Sequence, residues 1–182
     1  MISKEDMKAS KFISLILRHK PREIGLQLDE YGYISTIDLI NGMNNKGYNI
    51  DISDIERIVI EDDKQRYSFN SDKTKIRANQ GHSIKVNLEL QPVKPPNVLY
   101  HGTSKFASVG IIIKGINKQC RQYVHLSADV ETAFKVGRRH GEPTVFKINS
   151  SEMYKDGYKF YLSDNGVWLV DFVPIGYFLN IY

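Results

Sequence analysis

The sequence predicts an α+β chain in two lobes, and three observations predict it. Residues 1–90 hold three stretches of helical apolar spacing, then two short β segments around a polar loop, the pattern of a winged-helix lobe. Residues 98–182 hold short apolar strands interleaved with small helices. Between them, residues 91–97 carry Pro92, Pro95 and Pro96, which make a stiff, extended linker.

In the first lobe, Lys11-Phe12-Ile13-Ser14-Leu15-Ile16-Leu17 predicts a helix that starts near Lys4 and runs into Arg18-His19-Lys20. Pro21 stops it, because a proline biases the residue before it away from helical geometry. Basic side chains then gather at a helix C-terminus, where the dipole favours cations; that is also the plain structural reason for finding them there. Ile24-Gly25-Leu26-Gln27-Leu28-Asp29 and Tyr31-Gly32-Tyr33-Ile34 read as a turn and a short strand. Ser35 or Thr36 can cap a second helix that ends near Lys46-Gly47. Ser53 can cap a third over residues 54–60, with Ile55, Ile58 and Val59 inward. Arg66-Tyr67-Ser68-Phe69 and Lys75-Ile76-Arg77-Ala78 form hairpin strands around residues 70–74, ringed by Lys64, Arg66, Lys73, Lys75 and Arg77. Those charges suit a nucleic-acid face or an ordinary solvated edge. Asn79-Gln80-Gly81-His82-Ser83 closes the lobe as a polar turn, or as a ligand loop if the lobe faces the second one.

The second lobe opens with Val98-Leu99-Tyr100, a short buried strand that ends in His101-Gly102-Thr103. Gly102 lets a ligand approach the main chain, and Thr103 can hold ribose or phosphate oxygens. Read locally, a strand-to-helix turn capped by Thr103 or Ser104 is the plainer reading. Residues 106–113 form a short helix and turn. Arg121-Gln122-Tyr123-Val124-His125-Leu126-Ser127 is a strand with Arg121 at its entry and Ser127 at its exit. Residues 129–138 form a helix capped by Ser127. Residues 144–148 form a strand, residues 150–153 a turn, and residues 160–163, 167–170 and 175–179 three more short strands.

Composition narrows the chemistry. A 182-residue chain with 41% hydrophobic and 25% charged residues is globular and has room for a real core. Net charge of +4 and a pI near 9.0 suit an anionic partner. The single cysteine, Cys120, excludes an internal disulfide framework and a cysteine-rich zinc site. A polar N-terminus and the lack of any run near the ~18 apolar residues of a membrane span predict a soluble, cytoplasmic protein. No dinucleotide glycine fingerprint, phosphate-binding P-loop, zinc-protease or nucleophile-elbow motif is present. His101 and His125 stand too far apart in sequence for local metal ligation, so no metal is expected. Acidic residues are missing from the candidate stretches, which argues against carboxylate hydrolysis. Arg and His recur instead, at Arg18, His19, Arg66, His82, His101, Arg121 and His125. Such a set suits a phosphate dianion and a charged transition state.

Several segments resemble the NAD-dependent RNA 2′-phosphotransferases, nearly end to end and in order. They are Ser10-Lys11-Phe12 with Leu17-Arg18-His19-Lys20-Pro21, Gly25-Leu26 with Leu28-Asp29 and Gly32, Asp63-Lys64-Gln65-Arg66-Tyr67, Ile76-Arg77-Ala78-Asn79-Gln80-Gly81-His82-Ser83, Leu99-Tyr100-His101-Gly102-Thr103, Val124-His125-Leu126-Ser127 and Asn165-Gly166-Val167-Trp168-Leu169. The long block around Gly81 is the specific one. The resemblance implies a winged-helix lobe joined to an ADP-ribosyltransferase-like lobe, with the active site in the cleft between. It implies an enzyme that consumes NAD and acts on tRNA-like RNA carrying an internal 2′-phosphate; the chain is expected to be a monomer. By motif position, Arg18, His19, Arg66 and Arg121 are the catalytic set: Arg18 and Arg121 clamp the phosphate, His19 donates a proton or binds phosphate, and Arg66 stabilises the second transition state. His101, Gly102, Thr103, Gly110, His125, Leu126 and Ser127 fall to NAD, with His101 an anchor for ribose or diphosphate rather than a base. The family lacks the glutamate of many ADP-ribosyltransferases, and Val167-Trp168-Leu169 carries none here.

Two other readings stay open. One is a nucleic-acid-binding module without chemistry, which explains the basic hairpin but not His-Gly-Thr. The other is an ADP-ribosyltransferase that acts on protein or on terminal phosphates of nucleic acid.

Overall fold

Ser3 begins the first helix. Its hydroxyl accepts the Asp6 N–H, and the Asp6 carboxylate accepts the Ser3 N–H, a reciprocal capping box. Helix α1 (Lys4–Arg18) follows in the computed structural model, which describes residues 3–182. It buries Ala9, Ile13, Ile16 and Leu17 along one stripe. Pro21 opens a 3-10 turn (Pro21–Ile24) that closes on Gly25 in the left-handed region, φ 74°.

Strand β1 (Tyr33–Ser35) leads to α2 (Thr36–Asn44), capped by the Ser35 hydroxyl. Helix α3 (Ile52–Ile60) starts earlier than Ser53 predicts. Its cap is Asp51, whose carboxylate accepts the Asp54 N–H at 3.0 Å while the Asp54 carboxylate accepts the Asp51 N–H, a full capping box. Strands β2 (Tyr67–Phe69) and β3 (Lys75–Ala78) form the expected hairpin, and β1 pairs on the other edge of β3. The three helices and this sheet enclose one core, with Ile13, Leu17, Leu39, Met43, Ile55 and Ile76 fully buried. The Tyr67 hydroxyl lies 2.6 Å from Ser14 Oγ and donates to the Ser10 carbonyl, which fastens the hairpin to α1.

The chain divides into two compact units, the first running up to Glu89 and the second from Leu90 to Tyr182. The proline segment is tied into the second: the Val93 N–H donates to the Phe160 carbonyl at 2.8 Å, and Ser150 Oγ donates to the Pro96 carbonyl at 2.6 Å.

The second unit comprises β4 (Leu99–Ser104), α4 (Lys105–Lys114), β5 (Ile116–Asn117), β6 (Val124–Leu126), α5 (Val130–Gly137), β7 (Pro143–Ile148), α6 (Ser150–Lys155), β8 (Phe160–Leu162), β9 (Trp168–Val170), β10 (Phe172–Val173) and β11 (Phe178–Ile181). Its sheets run β11-β7-β4, β6-β9-β8 and β10-β5, all antiparallel. Tyr100 and Ser127 exchange backbone hydrogen bonds of 2.9 and 2.7 Å, which joins the first two sheets. Leu99, Leu126, Phe146, Ile148, Phe160 and Val170 lie at the centre of a second core.

Several local expectations are corrected. His101-Gly102-Thr103 stand within β4, as a strand ending in them requires, and not in the strand-to-helix turn of the plainer reading; Gly102 pairs opposite Val145 on β7. Of the two expected caps, Ser104 is the one that starts α4. Asp129 caps α5, accepting the Thr132 N–H at 2.7 Å, whereas Ser127 spends its main chain on the bridge to Tyr100. Residues 150–153 wind into α6 because Asn149 caps them. Residues 175–177 form a 3-10 turn before β11, not a strand. No helix among the described residues is long and apolar enough to cross a membrane.

Candidate functional site

In the first unit, Arg18 ends α1 and His19 is its C-cap, so both are presented where the helix carbonyls favour positive charge. What fixes them is the run of residues 79–83. Gly81, at φ +88°, underlies the Arg18 guanidinium; a Cβ there would stand 3.6 Å from Cζ, Nε and Nη1. The Ser83 N–H donates to the Arg18 carbonyl at 2.9 Å, and Ser83 Oγ lies 2.9 Å from His19 Nδ1. Asn79 is buried and holds the turn that carries Arg66. Its N–H donates to the Arg66 carbonyl at 2.8 Å, its Nδ2 to the Gln65 carbonyl at 2.7 Å, and its Oδ1 accepts from Ser68 Oγ at 2.7 Å. Positions 79, 81 and 83 thus serve three different candidate residues.

His82 points inward. It is 1% exposed and lies against Gly32, where a Cβ would come within 3.4 Å of Nε2. Burial, with the charges of Arg18, His19 and Arg77, lowers its pKa from 6.5 to about 4, so it is neutral at pH 7. Arg77 lies over the Tyr33 ring, 4.8 Å from its centroid.

The expectation that acidic residues are missing from the site is corrected at Asp62. This carboxylate is 5% exposed and accepts the Arg66 N–H at 2.6 Å, and its Oδ1 also takes the Arg66 Nη1. The acid lies four residues before Arg66, but outside any helix, where that spacing carries no pairing signal.

In the second unit, a cavity of about 600 Å³ opens between β4, α4 and the approach to β6. Its lining includes His101, Thr103, Gly110, Lys114, Arg121 and His125, and no Asp or Glu. His101 Nδ1 donates to the His125 carbonyl at 3.0 Å, since a carbonyl can only accept. Arg121 Nη1 donates to His125 Nδ1 at 3.3 Å, which requires that nitrogen to carry a lone pair. Burial, and then the Arg121 charge, hold the His101 pKa below its ordinary value, against the opposing effect of the His125 carbonyl. The result is a cationic, carboxylate-free pocket with neutral imidazoles at its wall. Its volume lies within the range of organic-ligand sites, about 300–1,000 Å³.

The structure brings His101, Gly102, Thr103, Gly110, Arg121 and His125 to this cavity, but Leu126 and Ser127 are not among its lining. Leu126 faces the core instead, 1% exposed. Gly102 lines the cavity, yet its need for glycine has another cause: an added Cβ would stand 1.7 Å from the Ala133 carbonyl oxygen of α5. The close approach is made by a helix. Lys114 is a lining cation that motif reading missed, since a lysine at a helix end carries no signal of its own.

The profile of the family described as RNA 2′-phosphotransferase, Tpt1 / KptA family matches residues 4–172. Among similar proteins, a probable RNA 2′-phosphotransferase of Fusobacterium nucleatum is 56% identical over 170 residues, 93% of this chain and 95% of that protein. One of Flavobacterium johnsoniae is 50% identical over 168 residues, 92% of each chain. One of Acaryochloris marina is 47% identical over 178 residues, 97% of this chain and 98% of that protein.

Proposed function

The chain belongs to the Tpt1/KptA family of RNA 2′-phosphotransferases, and from that premise we propose that it removes an internal 2′-phosphate from RNA with NAD as the consumed co-substrate. The first unit is then the winged-helix lobe that meets the RNA phosphate, and the second an ADP-ribosyltransferase-like lobe that holds NAD. The observation that carries this reading is the shared support of Arg18, His19 and Arg66 by residues 79–83. A run whose separate residues underlie a guanidinium, orient an imidazole and fix an arginine turn suits a phosphate site better than a solvated loop.

An oxygen of the RNA 2′-phosphate attacks the anomeric carbon of the nicotinamide ribose, and the C–N bond breaks as nicotinamide leaves neutral with its electron pair. The nucleophile is already anionic, so this step needs orientation rather than a base. In the second step the neighbouring ribose 2″-hydroxyl attacks phosphorus and gives up its proton to solvent, and the bond to the RNA 2′-oxygen breaks as that oxygen takes a proton. RNA with a 2′-hydroxyl and ADP-ribose 1″,2″-cyclic phosphate result. Here charge builds on phosphorus and on the departing oxygen, where arginines contribute most. Arg18 and Arg121 clamp the phosphate, Arg66 stabilises the transition state and His19 supplies the proton to the leaving oxygen. The second unit's cavity fits NAD in its chemistry: Lys114 and Arg121 suit a diphosphate, and neutral His101 can bond ribose hydroxyls.

The test is NAD with a short RNA bearing one internal 2′-phosphate. Wild type should release nicotinamide and the cyclic phosphate, and Arg18→Ala should lose about 10²-fold or more. His19→Ala and Arg66→Ala should accumulate the ADP-ribosylated RNA; loss of all turnover without that species overturns their assignment to the second step. Stable ADP-ribosylation of RNA or protein by wild type would favour a plain ADP-ribosyltransferase, and RNA binding without NAD consumption a binding module.

A further inference from the structure

Asp62 is a buried carboxylate in contact with a residue the reaction is assigned to, and neither motif nor resemblance gives it a role. Its side chain is 4% exposed, against 29% for Arg66. It binds Arg66 twice, at the backbone N–H by Oδ2 and at Nη1 by Oδ1, and also accepts the Lys64 N–H at 3.4 Å. The backbone bond alone would make Asp62 an ordinary turn residue. The second bond fixes the guanidinium as well, so that one rigid group sets both ends of the Arg66 side chain. Only one of the five guanidinium N–H donors is taken this way, at Nη1, and the edge formed by Nε and Nη2 keeps its donors for a bidentate phosphate contact.

We propose that Asp62 is a positioning residue for the phosphate-transfer step, holding the Arg66 guanidinium at the angle at which its second edge meets the reacting phosphate. This rests on the reading of Arg66 given above. An arginine with several rotatable bonds would otherwise have to be ordered at the moment of reaction, and misplacement of about 1 Å costs on the order of 10²-fold in rate. Asp62 does not touch the substrate; it acts through Arg66.

The experiment is single-turnover kinetics of Asp62→Asn with NAD and 2′-phosphorylated RNA, following both steps. Asparagine keeps an oxygen for the Arg66 N–H, while the oxygen that accepts from Nη1 and from the Lys64 N–H becomes an amide donor, so the guanidinium loses both its charge partner and its acceptor. The expected result is a second step slowed about 10²-fold, with the first step within about threefold of wild type, so that ADP-ribosylated RNA accumulates. In an Arg66→Ala background the same change should add nothing. Unchanged rates, equal slowing of both steps, or a further loss in the Arg66→Ala background each overturn the proposal. If Asp62→Asn does not fold, Asp62→Glu replaces it: displacing the charge by one methylene should slow the second step selectively, and wild-type rates would overturn it. Wild type that leaves NAD and the 2′-phosphate untouched defeats the reading of the whole site, whereas a competent wild type matched by its variants defeats only the role of Asp62.

Discussion

His82 shows how a single side chain carries both the architecture and a liability. Its ring is buried among Arg18, His19 and Arg77, and its pKa lies near 4 against 6.5 in an open chain. Between those two values the unfolded state takes up a proton that the folded state refuses, so stability falls as the pH drops through 6.5 and the loss is complete below about 4. The full penalty is on the order of 3 kcal/mol. Urea unfolding at pH 7 and at about pH 4.5 should show most of it in wild type, and a clearly smaller difference in His82→Gln. A variant with the wild-type pH dependence would show that the imidazole is not what acid attacks. The sequence marked His82 as part of a distinctive block, but not its direction. An imidazole in a polar turn reads as a ligand group, and only the packing against Gly32 shows that it faces in.

At the scale of elements, helix starts are the instructive case. Ser35 and Ser104 cap α2 and α4 as the sequence suggests, whereas Asp51 and Asp129 displace the predicted Ser53 and Ser127. Short side chains of similar capping strength stood two residues apart in both cases, and the choice between them belongs to the chain's path into the helix. For α3 this makes a paired prediction. Asp51→Ala should cost about 1 kcal/mol in chemical denaturation, and Ser53→Ala no more than about 0.5 kcal/mol. The reverse order would return the cap to Ser53. The same scale explains why the strand that opens at Arg66-Tyr67 was legible and the support of Arg66 was not. Asp62 and Asn79 reach Arg66 from both sides through hydrogen bonds that have no sequence period.

For the whole molecule, each unit encloses its own core, and the single tryptophan, Trp168, lies 8% exposed in the second. Gly102 ties that core together, because β4 and α5 approach there with no room for a methyl group. Gly102→Ala should destabilise the second unit by at least about 3 kcal/mol. Its Trp168 fluorescence transition should therefore move to lower temperature than the loss of far-ultraviolet helical signal, to which α1–α3 contribute. A coincident, unshifted pair of transitions would show that α5 yields to the extra carbon. By itself, the sequence determined most of the order of helices and strands, the arginine-rich chemistry, and the family, because these depend on local periodicity and on motifs contiguous in the chain. The tertiary structure alone decided why Gly102 must be glycine, which way His82 faces, that Leu126 belongs to the core, and that an aspartate holds Arg66. Those facts arise from contacts between side chains and backbone far apart in sequence or outside any motif, where packing and burial set the outcome.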